Sequence, residues 1–309
     1  MRRAVISMLS LCGIMCRTSA LAALLLCSAV ALDPVLPVDV ISGAVAQDDK
    51  AKKDQRQTRR TPALRNKVYE KLAEAQTLAE AKDYAGAAVI LNDMIAEDGK
   101  RALNSYELAN VYNLFAFLAY ATEDYPQSLR YYEQVIAQPD IPLAMEINTR
   151  FTIAQLYFVQ EKWQQGIDAM LVWFDLNEKP NAGAYVLLAQ GYYQVKKYDL
   201  ALENVETAIS MHEGEGKLPK EQWYNLARFL YFDKEDFDSA LDVLNTLIIY
   251  YPKKQYWVQA SHLYGEKKDE PRQLALMEAA YEQGFLDRSS ELVTMAYLYL
   301  NAEAPYYAG

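Results

Sequence analysis

Only two histidines occur in the 309 residues, His212 and His262, and 50 positions separate them. A transition-metal site needs several imidazoles, thiolates or carboxylates closing on one ion, and no such cluster surrounds either ring. The three cysteines, Cys12, Cys16 and Cys27, all lie near the amino terminus, so no thiol further along can serve as nucleophile or ligand. The run Met211-His212-Glu213-Gly214-Glu215-Gly216-Lys217 superficially suggests a phosphate loop. However, Met211 stands where that loop needs its first glycine, and Leu218 where it needs a hydroxyl. The run reads instead as an exposed loop. Carboxylates are plentiful but scattered over helix faces, where most are simply solvated. No nucleophile–base pair, HExxH motif or dinucleotide fingerprint is present, so neither enzymatic chemistry nor a metal or cofactor is expected.

What remains is surface, and the elements that shape it. The chain is 52% hydrophobic and 23% charged, too apolar for a disordered protein. A net charge of −10 argues against nucleic acid, whose affinity comes largely from basic residues meeting phosphates. Tyrosine dominates the aromatic residues, with 24 Tyr against 9 Phe and 4 Trp; a tyrosine offers contact area with a polar tip.

Residues 1–46 read as an export signal. Arg2 and Arg3 precede an uncharged stretch from Ala4 to Cys16, and after Arg17 a second runs from Thr18 to Leu32. Neither reaches the roughly 18 apolar residues that a membrane span needs, yet each suffices for the core of a secretory signal. Cleavage could follow Ala31 or Ala46, with Ala46 favoured because the polar Gln47-Asp48-Asp49-Lys50 begins there. Met8 or Met15 would shorten the leader if either is the true start. The expected location is the periplasm; an uncleaved leader would instead anchor the chain in the inner membrane. All the cysteines leave with the leader, which suits an oxidising compartment. Residues 47–62 carry six basic and three acidic side chains and read as a flexible basic linker. Residues 63–309 hold 36 acidic against 22 basic residues, so the folded body is strongly acidic.

Through that body one pattern recurs: a small residue, then twelve positions later another, with an aromatic three before it. It runs Ala75…Tyr84-x-x-Ala87, Ala116…Tyr125-x-x-Ser128, Ala154…Trp163-x-x-Gly166 and Ala189…Tyr198-x-x-Ala201. A fifth copy, Ala227…Phe237-x-x-Ala240, is one residue longer. A sixth is degenerate around Trp257, Tyr264 and Ala280 and lacks the aromatic. A seventh opens with Ala296. The aromatics lie 41, 38, 35 and 39 residues apart. Two antiparallel helices explain this: the small residues let them approach and the aromatic wedges the turn. Asp83, Asp124 and Asp236 stand just before the wedge as turn residues, and Pro139, Pro180 and Pro252 end second helices.

This pattern resembles the tetratricopeptide repeat. The best matches are Tyr185-x-x-Leu188-Ala189-x-x-Tyr192 followed by Ala201 and Ala208, and Trp223-x-x-Leu226-Ala227 followed by Ala240 and Pro252. The resemblance covers 63–309, about six hairpins and part of a seventh, and implies an all-α superhelical solenoid. Glu303 to Gly309 read as the opening of a second helix, so the array is expected to continue. Arg60-Thr61-Pro62-Ala63-Leu64-Arg65-Asn66-Lys67-Val68-Tyr69-Glu70-Lys71-Leu72, with the leader, basic linker and Tyr-rich repeats, is similar to the periplasmic tetratricopeptide proteins associated with TonB–ExbB–ExbD systems of gammaproteobacteria. That likeness implies an accessory role in energy-coupled iron uptake.

In such repeats the first helix of each hairpin lines a concave groove. Counting from the small residue, the lining positions are Asn113, Phe117 and Tyr120 in repeat two, and Phe151, Gln155 and Phe158 in repeat three. Repeat four supplies Val186, Gln190 and Tyr193. Repeat five supplies Tyr224, Arg228 and Tyr231, and repeat six Val258 and His262. Aromatics interleaved with amides suit an extended peptide; for any one ring the alternative is packing between helices. The acidic body adds an expectation of a Lys/Pro-rich strand bound in a salt-sensitive way, as from the periplasmic part of TonB or ExbD. The alternative function is a structural repeat protein of envelope assembly or the peptidoglycan layer. A sugar-binding groove is a third reading.

Overall fold

The computed structural model describes residues 62–139 and 141–302. The leader with its cleavage sites, the basic segment up to residue 61, and the stretch from Glu303 onward lie outside the described residues. Among the described residues there are thirteen α-helices and no strand. They pair in chain order: α1 (Asn66–Glu80) with α2 (Tyr84–Ile95), α3 (Ser105–Ala121) with α4 (Tyr125–Ile136), and α5 (Leu143–Val159) with α6 (Trp163–Leu176). Then come α7 (Ala182–Gln194) with α8 (Tyr198–Gly214), α9 (Glu221–Asp233) with α10 (Phe237–Tyr250), and α11 (Lys254–Glu266) with α12 (Glu270–Glu282). Last is α13 (Ser289–Asn301), packed on α12. Each helix touches chiefly its neighbours in sequence, the arrangement of a solenoid.

All six hairpins turn on the same device. Lys82, Glu123, Glu161, Lys196, Glu235 and Lys268 adopt the left-handed conformation, with φ between 57° and 63°. Each donates its amide to the carbonyl three residues back, and the next residue donates to the carbonyl five back, as in Lys82 to Ala79 and Asp83 to Leu78. This closure usually takes glycine, because a side chain there costs about 1–2 kcal/mol. Glu235→Gly is therefore expected to stabilise the protein by up to about 1 kcal/mol, read as a higher denaturation midpoint. A lower midpoint would mean that the Glu235 side chain outweighs its strain. After the left-handed residue comes the N-cap. Asp83, Asp124, Asp236 and Asp269 each accept an amide three residues on, from Gly86, Gln127, Ser239 and Arg272, at 2.9–3.2 Å.

Four of the five wedge aromatics close their hairpins against an aromatic at the end of the first helix, while Tyr84 of the first hairpin has Ala79 at that place. Ring centroids lie 5.6 Å apart for Tyr120–Tyr125, 6.1 Å for Phe158–Trp163, 5.6 Å for Tyr193–Tyr198 and 6.1 Å for Phe232–Phe237. In the sixth hairpin Gly265 and Glu270 hold those places. The hairpin is nonetheless complete, carried by the Asp269 cap. The small residues of the first four hairpins are buried at the crossing, and Ser128 Oγ donates to the Ala116 carbonyl at 2.8 Å.

Two expectations need correction. The fifth copy carries no extra residue. The position seven before the left-handed residue is Ala75, Ala116, Ala154 and Ala189 in turn, then Arg228 and Ser261. The alanine of repeats five and six, Ala227 or Ala260, sits one place earlier, where Leu188 lies in repeat four. The run around His212 is not a loop either. His212 closes the last turn of α8 with its ring 4.5 Å from Trp223, and Gly216, at φ 69°, ends the segment. The core is a chain of clusters rather than a single centre: one spans α1 to α3, a long one α5 to α9, and another α9 to α11. On α13, Val293, Tyr297 and Leu300 are exposed while Leu298 is buried.

Candidate functional site

The invariant turn supplies a register for the first helices. Counting back from the left-handed residue, positions ten, six and three before it recur on one face. In repeat two they are Asn113, Phe117 and Tyr120, all half-buried. Phe117 leans on the cluster of α1–α3, and Tyr120 on Tyr125. In repeat three, Phe151 packs 4.9 Å from Trp173 and Gln155 is half-buried. In repeat four, Gln190 is half-buried. Tyr193 there packs tilted against Tyr198 and meets Phe229 of the next repeat edge-on at 5.5 Å. Val186 is buried in the core.

Phe158 and Tyr224 belong to the core and not to a groove. Phe158 is 7% exposed. Its ring lies where a Cβ on Gly166 would come within 2.6 Å and one on Gly191 within 2.7 Å. Two glycines thus make its socket. Tyr224 is 4% exposed and donates to Glu213 Oε1 at 2.8 Å.

The register of repeat five shifts accordingly. Its positions on this face are Asn225, Phe229 and Phe232, which counting from Ala227 misses by one. Counting back eight residues from the wedge aromatic Phe237 finds Phe229. The same count from Tyr125, Trp163 and Tyr198 finds Phe117, Gln155 and Gln190. Repeat six keeps Val258 half-buried and His262 exposed, its Nε2 4.0 Å from Glu266.

The polar groups of repeats five and six are spent internally. Arg228 donates to Gln259, and to Asn225 Oδ1 at 3.1 Å, over the face of Tyr256. Asn225 Nδ2 donates to the Tyr256 hydroxyl at 2.8 Å, and that hydroxyl donates to Glu221 at 2.5 Å. Tyr231 donates to Glu206. In repeats two to four the side-chain amides of Asn113, Gln155 and Gln190 make no hydrogen bond among the described residues. Burial pushes the hydroxyls of Tyr120, Tyr193, Tyr224 and Tyr231 up, with Glu213 adding to it at Tyr224 and Glu206 at Tyr231. These rings are therefore neutral donors and apolar surface, with no tendency toward a phenolate nucleophile.

The acidity of the body is also placed elsewhere. Helix α7 has no ionisable side chain other than Tyr. Helix α3 has only Glu107, which is buried and bound by Arg65, and α5 only Glu146 and Arg150, which pair at 2.8 Å. Among the described residues no group of His, Cys, Asp and Glu could hold a metal ion, and no helix is long and apolar enough to cross a membrane.

No family model matches the chain, and no curated protein does. Solved structures do. A tetratricopeptide repeat protein from Parabacteroides merdae is 15% identical, covering 79% of this chain and 90% of its own, with a TM-score of 0.48. YrrB, described as a TPR protein with an unusual peptide-binding site, is 15% identical over 63% of this chain and 91% of its own, at 0.45. A MamA protein is 15% identical over 59% and 97%, at 0.46. At such identity the likeness is one of helix course alone. One turn shared by six hairpins, with helices that touch chiefly their neighbours in sequence, is what decides the architecture. The fold is an all-α tetratricopeptide-type solenoid. The shared face of α3, α5, α7 and α9 is the candidate site.

Proposed function

We propose that the chain is a non-enzymatic protein–protein interaction scaffold of the periplasm, an accessory component of a TonB-dependent iron-uptake system, holding a partner segment along α3, α5, α7 and α9. The observation that carries the scaffold reading is the row of open amides and half-buried rings, Asn113, Phe117, Gln155, Gln190 and Phe229. These groups offer paired hydrogen bonds and contact area without a catalytic group among them. The periplasmic and TonB assignments rest on the leader-like amino terminus and the resemblance of residues 60–72.

Calorimetric titration of the full chain with the periplasmic domains of TonB and ExbD tests this. Binding to either domain, weakened in Gln155→Ala/Gln190→Ala, is the expected result. Failure of both domains to bind would remove the TonB role. Binding unchanged in the double variant would remove the groove. Association with sacculi in place of either domain would favour a structural role in the envelope.

A further inference from the structure

The body is acidic, yet the face that would meet a partner is not. Of the first helices in repeats two to four, α7 carries no charged residue, α5 carries one internal pair, and α3 carries one carboxylate already neutralised by Arg65. In the later repeats two ion pairs run along the hairpin edge, Lys234 to Asp199 at 2.6 Å and Lys267 to Asp238. What the face of repeats two to four presents is amide and ring.

We infer that the segment held there is an uncharged extended polypeptide, recognised through its backbone by the amides of Asn113, Gln155 and Gln190 and through apolar side chains by Phe117 and Tyr193. This deepens the scaffold reading and rests on it. It replaces the lysine-rich strand that the net charge alone suggests. A lysine brought onto this face would give up part of its hydration and find, apart from Asp233 near Tyr193, only carboxylates that are already paired. A neutral backbone would find donors and acceptors that the protein itself leaves open. Charge complementarity therefore selects for neutrality, and the acidic surface around it repels acidic chains.

The two charge-insertion variants at Gln190 give opposite answers for the two kinds of partner. A displayed random-peptide library is selected on the immobilised full chain at low and at high salt, and the recovered peptides are titrated into Gln190→Glu and Gln190→Lys. The expected result is peptides with no excess of Lys or Arg over the input library. Their affinity should change less than about twofold with salt, and both variants should weaken it by about tenfold. Lys-rich peptides lost at high salt, or tighter binding to Gln190→Glu than to the parent, would overturn the inference and leave the groove standing. Recovery of no peptide, or of peptides indifferent to every change at Gln155 and Gln190, would overturn the groove and this inference with it.

Discussion

Phe158→Ala should cost about 3–5 kcal/mol of stability, the range for emptying a buried phenylalanine site. The loss should be large because the socket cannot collapse: Gly166 and Gly191 bring two backbones against the ring, and helices do not slide to fill a gap without repacking. Gln190→Ala, on the open face, should stay within about 0.5 kcal/mol. Urea denaturation followed by circular dichroism compares the two. Similar small effects from both would return Phe158 to the surface. The same socket sets the opposite limit. Gly191→Ala gains helix propensity of about 1 kcal/mol, yet places a methyl into Phe158 and Ile167, so a net destabilisation is expected.

The second large effect concerns Glu107. Its side chain is fully buried and accepts from the Arg65 backbone amide, Arg65 Nε and Nη2 at 2.6–3.1 Å, and the Asn104 amide at 3.1 Å. Removing an acceptor that serves two backbone amides costs about 1–3 kcal/mol, while the half-exposed Arg65 regains hydration, so Glu107→Ala should loosen the first hairpin from the second. Hydrogen exchange of α1 and α2 should then quicken while α7–α10 keep their protection. Uniform quickening along the array would contradict that picture.

The pH dependence has a definite sign. Burial works to raise the Glu107 pKa, but the Arg65 and backbone hydrogen bonds prevail and hold it below the usual carboxylate value. The native state therefore binds fewer protons than the unfolded one. The stabilisation is present above the unfolded pKa, about 4.3, and is lost as pH falls through the lower native value. Glu107→Gln should remove this acid-sensitive step from the first hairpin. If the step persists in Glu107→Gln, another carboxylate is responsible.

The hairpins were legible in the sequence because helix crossing demands small residues, and turns demand Asp and an aromatic, at fixed local spacing. The face was legible only where the small residue and the turn keep one distance. Ala227 breaks that rule, and with it the assignment of Tyr224, Arg228 and Tyr231. Phe158 carried no warning, since its glycines stand 8 and 33 residues later and belong to other helices. The Arg65–Glu107 bond spans 42 positions, beyond any local periodicity. His212 was misread because Gly-rich polar runs suggest loops, whereas here the glycine at 216 merely ends a helix.

The common turn has a further consequence. Successive left-handed residues are 41, 38, 35, 39 and 33 positions apart, yet the residues six places before them, Phe117, Gln155, Gln190 and Phe229, all stay half-buried on the face. All the variation in length therefore falls on the opposite margin, where second helices end and first helices begin. Duplication, loss or lengthening of a hairpin by recombination at that margin would leave the row of amides and rings in step. Such an array can acquire new reach without relearning how to hold what it already binds.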